Sequence, residues 1–237
     1  MMTEKISTST CEHCEVFKKS ILCSLRTEEL SVINLEKSMN HYLKNQNVFQ
    51  EGNRPHGLYC IHSGKIKITK RGYNGKHQII RLAKEGDVLG YRALVSGENY
   101  SASAETLEDA SICFIPKAVI FGLLHKNADL LIQLVQLLSS DLKLAEQKVA
   151  EFSQKPVHER IAETLLIIKE TYGLESDEST LNIAMSREDL ANIAGTATET
   201  LIRVLSDFRT KGLIELTGKK IRILKSEDLI RMAAIED

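Results

Sequence analysis

The chain has 237 residues, 43% hydrophobic and 27% charged, with three prolines and no low-complexity tract, which excludes disorder and leaves length for one large core or two smaller ones. A formal net charge of -1 excludes a surface that is basic all over, so any affinity for nucleic acid has to be local. Met1 to Cys14 is polar with no signal-peptide core, and no run of about 18 apolar residues appears, which predicts a soluble, cytoplasmic protein. Five cysteines, an odd number, argue against a secreted disulfide scaffold and for reduced thiols, metal ligands or redox chemistry.

After a short arm, Arg26 to Leu43 reads as helix, and the pattern then switches to short strands. Asn47 to Gln50, Gly57 to Ser63, Lys65 to Lys70 and His77 to Leu82 alternate or cluster apolar residues, with turn signals at Ser63-Gly64 and Asn74-Gly75. This predicts a small antiparallel barrel or sandwich. Strand pattern resumes at Tyr100 to Thr106 and Ser111 to Ile115 and ends at Pro116, after which a long helix follows.

Along that helix Leu131, Val135, Leu138, Leu142, Ala145, Val149 and Phe152 alternate by four and three, a heptad seam suited to a partner helix. The alternative is a stripe packed on the chain's own barrel, although such stripes are usually wider and less regular. Gln154, Lys155 and Pro156 mark a hinge, because proline ends a helix and disfavours helix at the residue before it. His158 to Tyr172 is again helical, followed by a polar loop from Gly173 to Ser179, two shorter helices and a closing hairpin.

Ser186-Arg187-Glu188-Asp189 has capping-box form and opens a short helix with Leu190, Ile193 and Ala194 on its apolar face; Gly195 stops it. Thr196-Ala197-Thr198-Glu199 reads as a second capping box for a helix through Thr200, Leu201, Val204, Leu205 and Phe208. Two helices joined by a glycine turn make a helix-turn-helix, whose second helix presents its first residues to the major groove. Thr198, Glu199, Thr200 and Arg203 then face DNA, with Arg203 able to donate twice to guanine and Glu199 able to accept from cytosine. Capping for Glu199 and an i,i+4 pair between Arg203 and Asp207 are the bland readings of the same residues. Leu213 to Leu216 and Ile221 to Leu224 form a wing whose tip carries Lys219 and Lys220. From Ser186 to Lys225 there are eight basic residues against five acidic, the sign that counterion release at DNA requires.

Barrel, long helix, hinge and winged helix in this order resemble the Crp/Fnr family of bacterial regulators over nearly the whole chain. The likeness rests on Gly57-Leu58-Tyr59 through Ser63-Gly64-Lys65-Ile66-Lys67, Glu85-Gly86-Asp87-Val88-Leu89-Gly90, Arg160-Ile161-Ala162-Glu163-Thr164-Leu165, and Ser186-Arg187-Glu188-Asp189-Leu190 through Thr198 to Leu205. The resemblance implies an α+β fold with an N-terminal cyclic-nucleotide-binding-type β-barrel (double-stranded β-helix, or jelly roll), a long dimerisation helix and a C-terminal winged helix-turn-helix. It implies boundaries at 1–25 for a cysteine-containing arm, 26–127 for the sensor, 128–154 for the dimerisation helix and 155–237 for the DNA-binding domain. The DNA-contacting set it suggests is Ser186, Arg187, Thr196, Thr198, Glu199, Thr200, Arg203, Lys219 and Lys220, on a palindromic site bound by a homodimer that also meets RNA polymerase.

The corresponding effector pocket is Gly90, Tyr91, Arg92, Tyr100 and Ser101. Tyrosines stand where the family's cyclic-AMP binders carry a carboxylate for the ribose and an arginine for the phosphate, which argues against cyclic AMP. Cys11, Cys14, Cys23 and Cys113 resemble the oxygen-sensing branch that ligates a [4Fe-4S] cluster, with a wider gap between Cys14 and Cys23 than that branch usually shows. The competing readings are Cys60 and Cys113 as small core residues, Cys11 and Cys14 as surface thiols, a zinc site that includes His13, and a regulator with a small organic effector in the barrel and no cluster. No catalytic triad, phosphate-binding glycine loop or zinc-protease motif is present, so no enzyme is expected.

Overall fold

The computed structural model describes residues 10–73 and 75–233; residues 1–9 of the arm, Asn74 of the expected turn and residues 234–237 lie outside the described residues. Three short 3-10 turns, Cys11–His13, Phe17–Lys19 and Ile21–Ser24, lead into helix α1 (Thr27–Glu36). Glu29 fixes its start: the Arg26 backbone N–H and the Asn127 side-chain amide each donate to the Glu29 carboxylate at 2.9 Å. Hydrogen bonds from Arg26, first from its backbone and then from its guanidinium, hold that carboxyl down at about 2.

Helix α1 ends well short of Leu43. Lys37 is extended, and the next residues form β1 (Ser38–Tyr42), paired antiparallel with β8 (Ala110–Pro116) so that Met39 lies opposite Cys113. Sequence periodicity could not separate helix from strand there, because the β8 edge decides the outcome. Between them come β2 (Asn47–Phe49), β3 (Gly57–Ser63), β4 (Ile66–Arg71), β5 (His77–Ala83), β6 (Val88–Leu89), α2 (Tyr91–Ser96) and β7 (Ser103–Thr106). The strands form two four-stranded sheets, in the orders β1-β8-β3-β6 and β2-β7-β4-β5. Gly57 is required where β3 meets β8, since a Cβ there would lie 2.2 Å from the Ile115 carbonyl oxygen.

Pro116 is the N-cap of α3 (Lys117–Leu124), and a break at Asn127 separates it from α4 (Ala128–Gln154), the two helix axes meeting at 109°. Asn127 makes the break by accepting from the Leu130 backbone N–H at 2.9 Å. Leu130 and Leu134 turn one face of α4 into the core with Leu22, Leu25, Leu58, Leu94, Ile120 and Leu123. The heptad seam points the other way: Leu131, Val135, Leu142, Ala145, Val149 and Phe152 are exposed and Leu138 is half-buried, with Val149 reaching 71% exposure. Among the described residues no single helix is long and apolar enough to cross a membrane.

The remaining elements are α5 (Val157–Tyr172), α6 (Arg187–Ala194), α7 (Thr198–Thr210), a hairpin of β9 (Ile214–Thr217) and β10 (Lys220–Ile223), and α8 (Ser226–Met232). Ile161, Leu165, Ile168, Leu190, Leu201, Leu205, Phe208, Ile214 and Leu229 are almost wholly buried and form one apolar centre, each worth roughly 1.5–3 kcal/mol of burial. Helix α8, which hydrophobic pattern did not reveal, is held by the single fully buried Leu229. Contact density divides the chain into two units, one of residues up to Ile66 with Ala83–Leu142, the other of Lys67–Leu82 with residues from Lys143 on.

Candidate nucleic-acid interface and thiol-lined cavity

The helix-turn-helix is built as its sequence suggests at the first helix and differently at the second. Ser186 caps α6, its Oγ accepting from the Asp189 backbone N–H at 2.9 Å, so the Ser186 hydroxyl is committed to the fold. Gly195 follows α6 at φ +63°, and its N–H and that of Thr196 both donate to the Ala191 carbonyl, closing the helix. Thr196 is thereby absorbed into the turn. The N-cap of α7 is Ala197, with no side-chain cap, so the expected second capping box is not formed. Leu201, Val204, Leu205 and Phe208 bury the inner face of α7.

The outer face carries the expected readers. Glu199 and Arg203 are exposed one turn apart, with Thr198 and Thr200 half-buried beside them and Ile202 exposed. The bland reading of Arg203 fails, because Asp207 pairs with Lys211 at 2.8 Å instead. Among the described residues no hydrogen bond or ion pair occupies the side chain of either Glu199 or Arg203. Two charges of opposite sign left unpaired at the open end of a helix suit a groove that offers both donors and acceptors.

The wing is more constrained than its sequence suggests. Arg187 is half-buried and donates to the Gly218 carbonyl at 2.9 Å, tying the start of α6 to the turn of the β9–β10 hairpin. Lys220 pairs with Glu175 at 2.8 Å, and Arg222 donates to Ser179 Oγ at 2.8 Å. Lys219 alone of the two tip lysines is left exposed and unpaired among the described residues.

In the barrel, Gly90 is the left-handed N-cap of α2 and Tyr91 is buried, its hydroxyl donating to Asp141. Arg92 donates to Ser101, while Tyr100 is buried and stacked on Phe49 with centroids 4.1 Å apart. Tyr59 lies 5.5 Å from Phe49 and 5.1 Å from Phe114, extending the aromatic row. Burial raises the Tyr100 phenol far above its ordinary range, so it stays neutral, and a phenol in either protonation state lacks the positive charge an arginine would offer a cyclic phosphate.

Four of the five cysteines converge. A cavity of about 40 Å³ between the arm and the face of β3 and β8 is lined by Cys11, Cys14, Cys60 and Cys113, with His62 and Lys37. Cys60 and Cys113 are directly opposed in the β3–β8 pairing, and Cys14 Sγ lies 3.5 Å from His62 Nδ1. Lys37 Nζ donates to Cys11 Sγ at 3.2 Å. Burial pushes the Cys11, Cys60 and Cys113 thiols up, with Lys37 pulling Cys11 part of the way back.

Cys23 is not brought to this group. It is exposed, and the buried Leu22 and Leu25 show why. In a 3-10 turn residues three apart share a face, so the two leucines point inward and Cys23 outward. Turning it in would expose both, at roughly 1.5–3 kcal/mol each. Cys60, read from sequence as a core residue, lines the cavity because the register of β3 against β8, which no local pattern reports, sets it opposite Cys113. His13 is exposed and bonded to Thr10 Oγ1 at 2.8 Å, away from the cavity lining.

Comparison with known proteins agrees with this architecture. Residues 39–127 match the model of the cyclic nucleotide-binding domain and residues 159–232 that of the Crp-like helix-turn-helix domain. The chain is 27% identical over 230 residues to the fumarate and nitrate reduction regulatory protein of Vibrio cholerae, covering 95% of this chain and 90% of that one. It is 29% identical over 226 residues to the anaerobic regulatory protein of Haemophilus influenzae, covering 94% and 87%. Among solved structures, FixK2 from Bradyrhizobium japonicum superposes with a TM-score of 0.75 at 23% identity, over 85% of this chain and 99% of that one, a likeness of fold.

Proposed function

The chain belongs to the Crp/Fnr family of transcription regulators, and from that premise we propose that it reads palindromic promoter DNA as a cytoplasmic homodimer under the control of its N-terminal domain. It is a regulator and not an enzyme. The observation that carries the reading is the pair Glu199 and Arg203, exposed, unpaired and one turn apart at the open end of α7. Thr198, Thr200 and Lys219 supply contacts around them, while Ser186, Arg187, Thr196 and Lys220 act by holding α6, the turn and the wing in place. The seam from Leu131 to Phe152 supports the dimer, since a row of exposed apolar side chains at heptad spacing is stable in water only when covered. In this reading residues 1–25 form the thiol arm, 26–127 the sensor, 128–154 the dimerisation helix and 155–237 the DNA-binding domain, with RNA polymerase as the further partner.

The signal in this proposal is oxygen or redox state, as the names of the anaerobic relatives suggest. The donor chemistry at the cavity fits an iron–sulfur cluster: four thiols from three separate segments of the chain, with a lysine ammonium to offset the negative charge of bound sulfur. Such a cluster, when bound, would supply an oxygen-sensitive link. Cys11 and Cys14 would hold it from the arm and Cys113 from β8, and its loss in oxygen would weaken dimerisation and hence DNA binding.

Selection from a random-sequence DNA library, with the full chain purified without oxygen and then exposed to air, tests the reading. Enrichment of a palindrome that is lost in air supports it. Enrichment of no sequence would sink the DNA assignment. A colourless protein that selects the same palindrome in air would remove the cluster and move the signal to an organic effector in the barrel.

A further inference from the structure

We propose that the fourth thiolate of the cluster site is Cys60 in place of Cys23, so that Cys11, Cys14, Cys60 and Cys113 together hold an iron–sulfur centre between the arm and the face of β3 and β8. The inference rests on the cluster reading above and names the residues that carry it out. Its ground is the cavity itself, whose lining includes all four of these sulfurs and excludes Cys23. The four come in two pairs. Cys60 and Cys113 face each other across the β3–β8 ladder, and Cys11 and Cys14 lie on the first 3-10 turn and its C-cap, above them. Cys60 is flanked on its own face of β3 by His62, which touches Cys14, so the strand and the arm already meet through polar groups at this point.

Among the described residues no three histidine, cysteine, aspartate or glutamate side chains are already placed as ligands of one metal ion, so the thiols must move for any centre to be held. Four thiols lining one hollow suit a polynuclear cluster, which is ligated from its corners, one thiolate to each iron. The hollow is about 40 Å³, so the arm with Cys11 and Cys14 has to give as the centre is built. Each thiol loses its proton to solvent as its sulfur binds iron, and the iron and sulfide come from outside the chain.

The test uses the full chain, purified without oxygen and reconstituted with ferrous iron and sulfide, alongside Cys60→Ala and Cys23→Ala. Iron and sulfide content and visible absorption are read for each. The proposal expects Cys23→Ala to retain the wild-type iron and spectrum and Cys60→Ala to lose at least three quarters of both. A second measurement needs no variant: native alkylation with and without iron, mapped by mass spectrometry, is expected to label the exposed Cys23 equally in both samples. A cluster that survives Cys60→Ala but not Cys23→Ala, or Cys23 labelling that is lost on iron loading, overturns the assignment and leaves the cluster reading intact. A wild-type chain that takes up no iron overturns both, and one that instead binds a single zinc through these thiols overturns the iron–sulfur centre.

Discussion

Replacing Gly195 with alanine should weaken the DNA-binding half of the chain by a route the structure specifies. Gly195 sits at φ +63°, where an L side chain costs roughly 1–2 kcal/mol. Its added Cβ would also lie 2.5 Å from Phe152 Cε1, closer than real Cβ contacts come, and 3.1 Å from Cδ1, a tight contact. Phe152 is 41% exposed, so its ring can move away, losing its contact with the Arg160 guanidinium 5.5 Å from its centroid. That contact is worth about 0.5–1 kcal/mol at an exposed site, and the ring shift adds about as much again. The sum is about 2–4 kcal/mol. Urea denaturation of wild type, Gly195→Ala, Phe152→Ala and the double variant gives a cycle that separates the two terms. In the Phe152→Ala background the glycine substitution should cost only the backbone share, about 1–2 kcal/mol. An equal cost in both backgrounds would refute the claim that the ring is the obstruction.

Leu142→Lys places a charge in the exposed seam and should convert a dimer into a monomer, measurable by sedimentation equilibrium; an unchanged mass would show that the seam is not the dimer contact. Glu29→Gln should flatten the acid limb of stability. The folded carboxyl, held at about 2 by bonds from Arg26, contributes stability above the unfolded value near 4.3, and that stability is lost as pH falls through about 2. The urea midpoint of the wild type should therefore drop between about pH 4.5 and 2 more steeply than that of Glu29→Gln, and parallel curves would contradict the assignment. Lys219→Ala, which removes the wing-tip lysine left unpaired among the described residues, should weaken binding to all sequences alike and lower the salt slope of the dimer by about 2, one contact per protomer, with a loss confined to one sequence counting against a backbone contact.

The parts of this molecule legible in the sequence are those specified locally. Ser186 opens α6 and Gly195 closes it because a hydroxyl cap and a left-handed glycine act within one helical turn, and the strand at Gly57 to Ser63 matches its predicted bounds. The heptad spacing of the long helix likewise placed its apolar row on one face, which the structure leaves uncovered. Distant partners decided what was missed. The strand at Ser38–Tyr42 exists because β8 pairs with it, the break before α4 because Asn127 is held by Glu29 and caps Leu130, and α8 because a single leucine finds a pocket. At the candidate site, the exposed outer-face position of Arg203 follows from the apolar spacing of α7, whereas the bonds that Arg187, Thr196 and Lys220 make within the fold depend on partners distant in sequence or on the turn geometry. Cys23 enters the expected ligand set through the family resemblance, and Cys60 does not, because only the β3–β8 register carries the information that places it opposite Cys113.

In the proposed function α7 reads bases through Arg203. Fluorescence anisotropy of the selected palindrome, with wild type and Arg203→Ala at one fixed salt concentration, tests it most directly. One guanine contact per half-site, each worth roughly 1–3 kcal/mol, predicts a loss of at least about 30-fold for the dimer on that palindrome and little change on random duplex. Equal losses on both, or none on either, would contradict the account.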